Sequence, residues 1–192
     1  LCKGELSGRT VATLGVRLGL ACLRTIKDAL DPVAGRPTTA MLKLPNDIYI
    51  DSRKLLGILT EIVTIGSAAQ QAQDRPTSFL LVGVGVNANV DLSRLPPEIA
   101  QSAVSLRDVL GQDVDRLSLR RLLACEILSV LSTQALSQEE LAEVAASLYA
   151  KGAAVRVMSS DGEPVTGSLK GVDEQAKVVV NVGGRLVSGV LA

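Results

Sequence analysis

The fold is decided by Lys43-Leu44-Pro45-Asn46-Asp47-Ile48-Tyr49-Ile50-Asp51-Ser52-Arg53-Lys54-Leu55-Leu56-Gly57-Ile58-Leu59-Thr60-Glu61. Ile48 to Ile50 and Leu55 to Val63 are apolar, β-prone runs, and Asp51-Ser52 between them is turn chemistry, so the stretch predicts a hairpin with Lys54 just past its turn. Pro45 cannot serve a central ladder, which makes Leu44 to Asp47 a stiff corner and brings Lys43, Asn46 and Asp47 close to Lys54. Strict alternation along the second strand places Lys54, Leu56, Ile58, Thr60 and Ile62 on one face and Leu55, Gly57, Leu59, Glu61 and Val63 on the other. Both faces are largely apolar, so the strand reads as interior. A lysine entering it must snorkel, pair or serve a ligand, because an unpaired buried ammonium is costly. The plainer reading of Lys54 is a cap on the hairpin at its solvent edge.

The next informative run is Leu80-Leu81-Val82-Gly83-Val84-Gly85-Val86-Asn87-Ala88-Asn89. A period of two sends Val82, Val84 and Val86 to one face, and Leu81, Gly83, Gly85 and Asn87 to the other. The second face is stripped of side chains, as where a ligand or another backbone comes close. A flat ligand could lie on that floor with Asn87 at its end; the alternative is a helix packed on the glycines. It is not a dinucleotide fingerprint, since Asn-Ala-Asn follows where a third glycine and a helix start would be needed.

Together these runs resemble the central motifs of biotin protein ligases: Lys-Leu-Pro-Asn-Asp-Ile-Tyr, then Arg-Lys-Leu-Leu-Gly-Ile-Leu-Thr-Glu, then Val-Gly-Val-Gly-Val-Asn-Ala-Asn, in order and at matching spacing. The resemblance implies condensation of biotin with ATP, the latter carried with Mg, to biotinyl-adenylate, then transfer of biotin to a lysine of a biotin carboxyl carrier domain. It implies that Lys54 meets the biotin carboxylate and α-phosphate, and that Asp47 orients the acceptor lysine. Asn87 would contact the nucleotide, and Gly57 and Ile58 would line the biotin site through their backbone. Lys43, Asn46, Gly83 and Gly85 complete the expected binding set, with no metal held by the protein itself. The residue types suit that chemistry: a fixed ammonium stabilises charge building on a phosphate, and a carboxylate can position an amine and help deprotonate it. Two features depart from the family: Leu44 stands where Trp is usual, and the Gly/Arg-rich loop that closes over the ligands does not occur between Leu1 and Lys43.

With 192 residues the chain can bury roughly 70% of its unfolded surface. Twenty basic and twenty acidic residues cancel, which argues against a nucleic-acid or membrane footprint. Aromatic stacking platforms for single strands are missing too, with one Phe, two Tyr and no Trp. Three scattered cysteines and no histidine remove zinc sites and His-based triads, and suit a reducing, cytoplasmic setting. No apolar run approaches the roughly 20 residues of a membrane span. Leu1-Cys2-Lys3-Gly4-Glu5 resembles neither an initiator nor a signal peptide and reads as an interior cut.

Val11, Leu14, Leu18, Cys22, Ile26 and Leu30 predict an amphipathic helix from about Thr10 to Leu30, stopped by Asp31-Pro32. Arg9, Arg17, Arg24 and Lys27 would be its wet side, and Gly15 with Gly19 would allow close packing on a sheet. Gly35-Arg36-Pro37 leads into a strand over Thr39 to Leu44, and Gly66 to Ser78 reads as a mobile loop between antiparallel strands. Leu95-Pro96-Pro97-Glu98 opens a helix, and Ser105 to Leu110 is a short one closed at Gly111. The Ala103-Val104-Ser105-Leu106 segment also resembles the ligases. Asp115 caps a helix to about Ser132, and Ser137-Gln138-Glu139-Glu140 is a capping box for a helix to Tyr149, both burying apolar stripes.

At Lys151-Gly152 the pattern turns to four short β-runs, Ala154 to Met158, Val165 to Val172, Lys177 to Val182 and Arg185 to Val190. So few residues suit a small SH3-like barrel, and their Gly-x-x-Val-x-Val opening resembles the ligases' C-terminal domain. The reading is α+β: a mixed, mainly antiparallel sheet flanked by helices in residues 1–150, the ligase-like catalytic domain without its N-terminal part, then an SH3-like domain in 151–192. The function expected is ligation of biotin without a DNA-binding head, in a monomer or a homodimer. The alternatives are a lipoate ligase, or a non-catalytic module binding a carrier protein or ligand.

Overall fold

The computed structural model describes residues 8–34, 39–65, 77–131 and 135–192. The expectations for Leu1 to Glu5, for Gly35-Arg36-Pro37 and for most of the Gly66 to Ser78 loop lie outside them. Four strands, β1 (Met41–Lys43), β2 (Asp47–Ile50), β3 (Arg53–Ile65) and β4 (Thr77–Val86), form an antiparallel sheet in chain order. The β2–β3 turn is tight: Asp51 and Ser52 both have positive φ (48° and 64°), as a two-residue hairpin loop of type I′ requires. β1 and β2 are joined through Leu44-Pro45-Asn46, whose Leu44-Pro45 peptide is cis.

One face of this sheet carries Leu42, Ile48, Leu56 and Ile58, all essentially buried under helix α1 (Gly8–Ala34). Gly19 permits that approach, since a Cβ there would sit 2.7 Å from a Leu42 methyl. Gly15 has no such neighbour, so of the two glycines only Gly19 is a packing requirement. α1 is not stopped at Asp31-Pro32 but continues to Ala34. Nor does it have the predicted wet face along its middle. Leu14, Val16, Leu18, Leu20, Cys22, Leu23 and Ile26 are buried all round it, because α4 (Arg116–Ser129) and α5 (Gln138–Ser147) cover the side away from the sheet. Arg17 is accordingly buried, with its guanidinium on Glu140 and the Ala135 carbonyl, and Arg24 pairs with Glu143. These two arginines, expected to be solvated, tie α5 to α1.

The predicted caps form: Ser137 makes a reciprocal capping box with Glu140 at the start of α5, Asp115 caps α4, and Gly111 closes α3 (Leu106–Leu110) at φ 70°. Ser105, not read as a cap, makes a second reciprocal box with Asp108 at the start of α3. A third short helix, α2 (Pro97–Ser102), starts on the proline pair. α4 departs from its expected apolar stripe. Only Leu119 and Leu123 are buried, while Leu117, Leu122 and Leu128 are exposed.

After α5 the chain forms a closed antiparallel barrel of β5 (Ala154–Ser159), β6 (Pro164–Val172), β7 (Val178–Val182) and β8 (Arg185–Leu191). The junction is stitched to the sheet: Leu148 bridges Leu42, and the Tyr149 N–H donates to the Leu42 carbonyl at 2.9 Å. The second face of the sheet bears no helix among the described residues, and Leu59, Val63, Phe79 and Leu81 stand exposed on it. No described helix is long and apolar enough to cross a membrane.

Candidate functional site

The site is built by an irregularity that alternation could not show. Asp47 faces Gly57 and Ile48 faces Leu56, but Tyr49 faces Lys54, so Leu55 is an extra residue on β3. In such a bulge two consecutive residues oppose one on the partner strand, and the face assignment shifts by one. Leu55 and Leu56 therefore both point into the core, at 0% and 1% exposure. Lys54, predicted on the Leu56/Ile58 face, is moved to the opposite one, with Gly57. The Leu55 carbonyl, released from regular pairing, accepts from the Asn87 N–H at 2.9 Å.

Lys54 is held by its backbone from two further elements. Its carbonyl accepts from the Val104 N–H at 3.0 Å and from the Asn87 side-chain amide at 3.2 Å, and it forms a bridge with Ala103. Ala103 to Leu106 is buried and anchored again through Leu106 N–H to the Asn87 carbonyl. The ammonium is then free to cross the sheet surface to the Asp47 carboxylate, at 2.7 Å. Gly57 makes this crossing possible: a Cβ there would lie 3.1 Å from Lys54 Nζ and 3.3 Å from Asp47 Oδ1.

Beyond the ion pair the surface is bare. Gly57 faces Gly85 and Leu59 faces Gly83 across β3 and β4, giving an open cleft of about 500 Å³ lined by Asn46, Asp47, Lys54, Gly57, Ile58, Leu59, Gly83, Val84 and Gly85. Added Cβ atoms at Gly83 and Gly85 would meet nothing closer than 3.8 Å, so neither glycine is required by packing. Among the described residues no helix packs on them. The cleft thus joins an ammonium, a carboxylate and a flat floor.

Two expected members stand apart. Lys43 turns away from Lys54: its ammonium donates to the Tyr49 hydroxyl at 3.0 Å and lies 4.4 Å from the Tyr49 ring centroid, with the Tyr149 ring beside it. The hydrogen bond to Tyr49 is the main reason its pKa is raised, against the lowering effect of burial. Asn87 does not line the cleft; its amide is occupied in fixing Lys54. Ile58 lines the cleft as expected, and its backbone is also tied to the corner: its N–H donates to the Asn46 carbonyl (2.8 Å) and its carbonyl accepts from the Asn46 side chain (2.7 Å). Asn46 is therefore the clamp that sets the corner against β3. The backing of Lys54 by Ala103 and Val104 and the Tyr49/Tyr149 pair went unread in the sequence, since each joins segments separated by dozens of residues or more. Among the described residues no group of three or more acidic or cysteine side chains could hold a metal ion.

No family model matches the chain. It is 30% identical over 173 residues to the biotin–[acetyl-CoA-carboxylase] ligase of Mycobacterium tuberculosis, a match over 88% of this chain and 58% of that protein. It is also 32% identical over 100 residues to the bifunctional ligase/repressor BirA of Bacillus subtilis, over 52% of this chain and 28% of the relative. The chain thus spans less than two thirds of either relative. A structure of biotin protein ligase from Aquifex aeolicus in complex with biotin and ATP superposes with a TM-score of 0.65 at 23% identity, covering 95% of this chain and 69% of that one. The fold is that of biotin protein ligases, and the sequence resembles theirs over most of its length.

Proposed function

We propose that this chain is the later catalytic part and C-terminal barrel of a biotin protein ligase, which attaches biotin to a carrier-protein lysine at the expense of ATP. The observation that carries the reading is the Lys54–Asp47 pair at 2.7 Å, set at one end of a floor made by Gly57, Gly83 and Gly85. Support comes from the Mycobacterium tuberculosis relative named as such a ligase, and from the Aquifex aeolicus ligase that binds biotin and ATP.

In the first step a biotin carboxylate oxygen attacks the α-phosphorus of ATP, brought in with its magnesium, and pyrophosphate leaves. Negative charge grows on the phosphoryl oxygens, where the Lys54 ammonium stabilises it without a proton transfer. In the second, the neutral amine of an acceptor lysine attacks the acyl carbon, AMP departs with the bonding electron pair, and the amine gives up one proton. Asp47 orients that amine and is placed to take the proton. The glycine floor holds the flat ureido ring system against backbone. Residues 151–192 are the separable SH3-like unit, serving carrier docking and nucleotide retention.

The test is biotin-dependent pyrophosphate release by the full-length protein. Loss of one such charge typically costs about 3 kcal/mol, or roughly 100-fold in rate. Lys54→Ala and Lys54→Arg should both fall by that much, the latter because a planar guanidinium cannot occupy an ammonium's position. Release unchanged in Lys54→Ala would leave Lys54 a surface hairpin residue.

A further inference from the structure

The two groups assigned to different half-reactions are bonded to each other. Among the described residues Lys54 and Asp47 are the only charged ones lining the cleft, and each neutralises the other across Gly57. While the pair is closed, Asp47 offers little net negative charge to an incoming lysine ammonium. The pair is also easily opened. The Lys54 side chain is 45% exposed and that of Asp47 18%, so the ammonium side of the pair faces solvent, where ion pairs are weak. A phosphate oxygen arriving over the glycine floor carries a full negative charge and competes for the same ammonium hydrogens.

We infer that the Lys54–Asp47 pair is an exchangeable latch: the anionic phosphate of the acyl-adenylate takes Lys54, and only then is Asp47 released to bind the ammonium of the acceptor lysine. This rests on the ligase reading. It gives Lys54 a second role, as a positioning residue for Asp47, and gives the glycine between them a reason. A side chain at position 57 would meet the lysine and the carboxylate at once. The consequence is order: a carrier domain is recognised through its lysine by the loaded enzyme and not by the empty one, which protects the adenylate step from occupation of the site by an amine. Because coupling is reciprocal, a bound carrier lysine must likewise tighten the hold on the adenylate.

The experiment compares two carrier domains, one with its acceptor lysine and one with that lysine changed to methionine, binding to the full-length protein with and without a non-hydrolysable biotinyl-adenylate analogue. The parent should prefer the lysine carrier by about two- to fivefold with the analogue and show no preference without it, the size expected for one exposed ion pair. Lys54→Gln should show the preference already without the analogue, and Asp47→Asn should show none in either state. A purely structural pair would leave the lysine-over-methionine ratio independent of the analogue, which overturns the latch while the ligase reading stands. The latch is equally overturned if Lys54→Gln shows no preference when empty. An analogue that does not bind the parent at all sinks the reading of the site and the latch with it.

Discussion

At Lys54 backbone and side chain have separate tasks. The carbonyl is consumed by Val104 and Asn87, which fixes the Cα, while the ammonium spans to Asp47 and remains 45% exposed. Position and charge are thus independently adjustable by mutation. Asp47→Asn should spare biotin-dependent pyrophosphate release and slow biotin transfer to the carrier by about tenfold or more, because only the second step uses an amine; equal loss of both steps would deny the carboxylate its separate role. Cys22 and Cys125 show the same dependence on surroundings. Burial in the middle of α1 pushes the Cys22 thiol up to about 12, whereas Cys125 lies exposed on α4. Since the thiolate is the nucleophile, Cys22 should resist iodoacetamide at pH 8 until the protein is unfolded, and peptide mapping should find Cys125 alkylated first.

At the scale of the element, β3 is one strand with two jobs separated by its bulge. Before it, the hairpin presents Lys54 to the cleft; after it, the ladder with β4 lays out the floor in unbroken register from Leu56/Val86 to Ile65/Thr77. β4 tolerates side chains sterically at both floor glycines. Gly83→Val and Gly85→Val should therefore fold with stability within about 0.5 kcal/mol of the parent, valine being well suited to strands, yet abolish biotin binding measured by calorimetry. A valine variant that binds biotin as the parent does would place the ligand elsewhere. Gly57→Val should behave differently, disturbing the ion pair as well as the floor.

The whole molecule is layered as sheet, α1, then α4 and α5, with the barrel joined at the β1 edge. Arg17 and Glu140 pin the outer helical layer. Burial raises the Glu140 carboxyl, but the Ser137 N–H and the Arg17 guanidinium outweigh it, and its pKa is lowered below the ordinary 4.5. A carboxylate lowered on folding contributes stability above its unfolded value and loses it as pH falls through the folded one. The melting temperature of the parent should accordingly drop more steeply than that of Glu140→Gln once pH passes below about 4.5. The barrel rests on α5, with Ala145 3.7 Å from the Cβ position of Gly171, and on the Leu136 N–H to Glu174 carbonyl bond. Deleting residues 153–192 should leave a folded but less stable remainder that needs more acceptor or ATP; a remainder unable to fold would make barrel and sheet one unit.

Much of this was decided locally. The hairpin, the Asp51-Ser52 turn, the Ser105 and Ser137 capping boxes, the four barrel strands and the glycine floor each follow from residue types within a few positions, because turn φ values, cap hydrogen bonds and strand alternation are short-range properties. The Lys43 to Glu61 stretch also supplied the two charged groups of the cleft. Their pairing, however, depends on the bulge at Leu55, and a bulge is chosen by what both strands bury: two leucines in succession entered the core under α1, and Lys54 was displaced to the other face. For the same reason Arg17 could be read only as a surface residue until α5 covered it, and the Tyr149 ring beside Lys43 reached it only from the barrel junction. Periodicity reports which face of its own element a residue occupies; what covers that face is settled by segments distant in the chain.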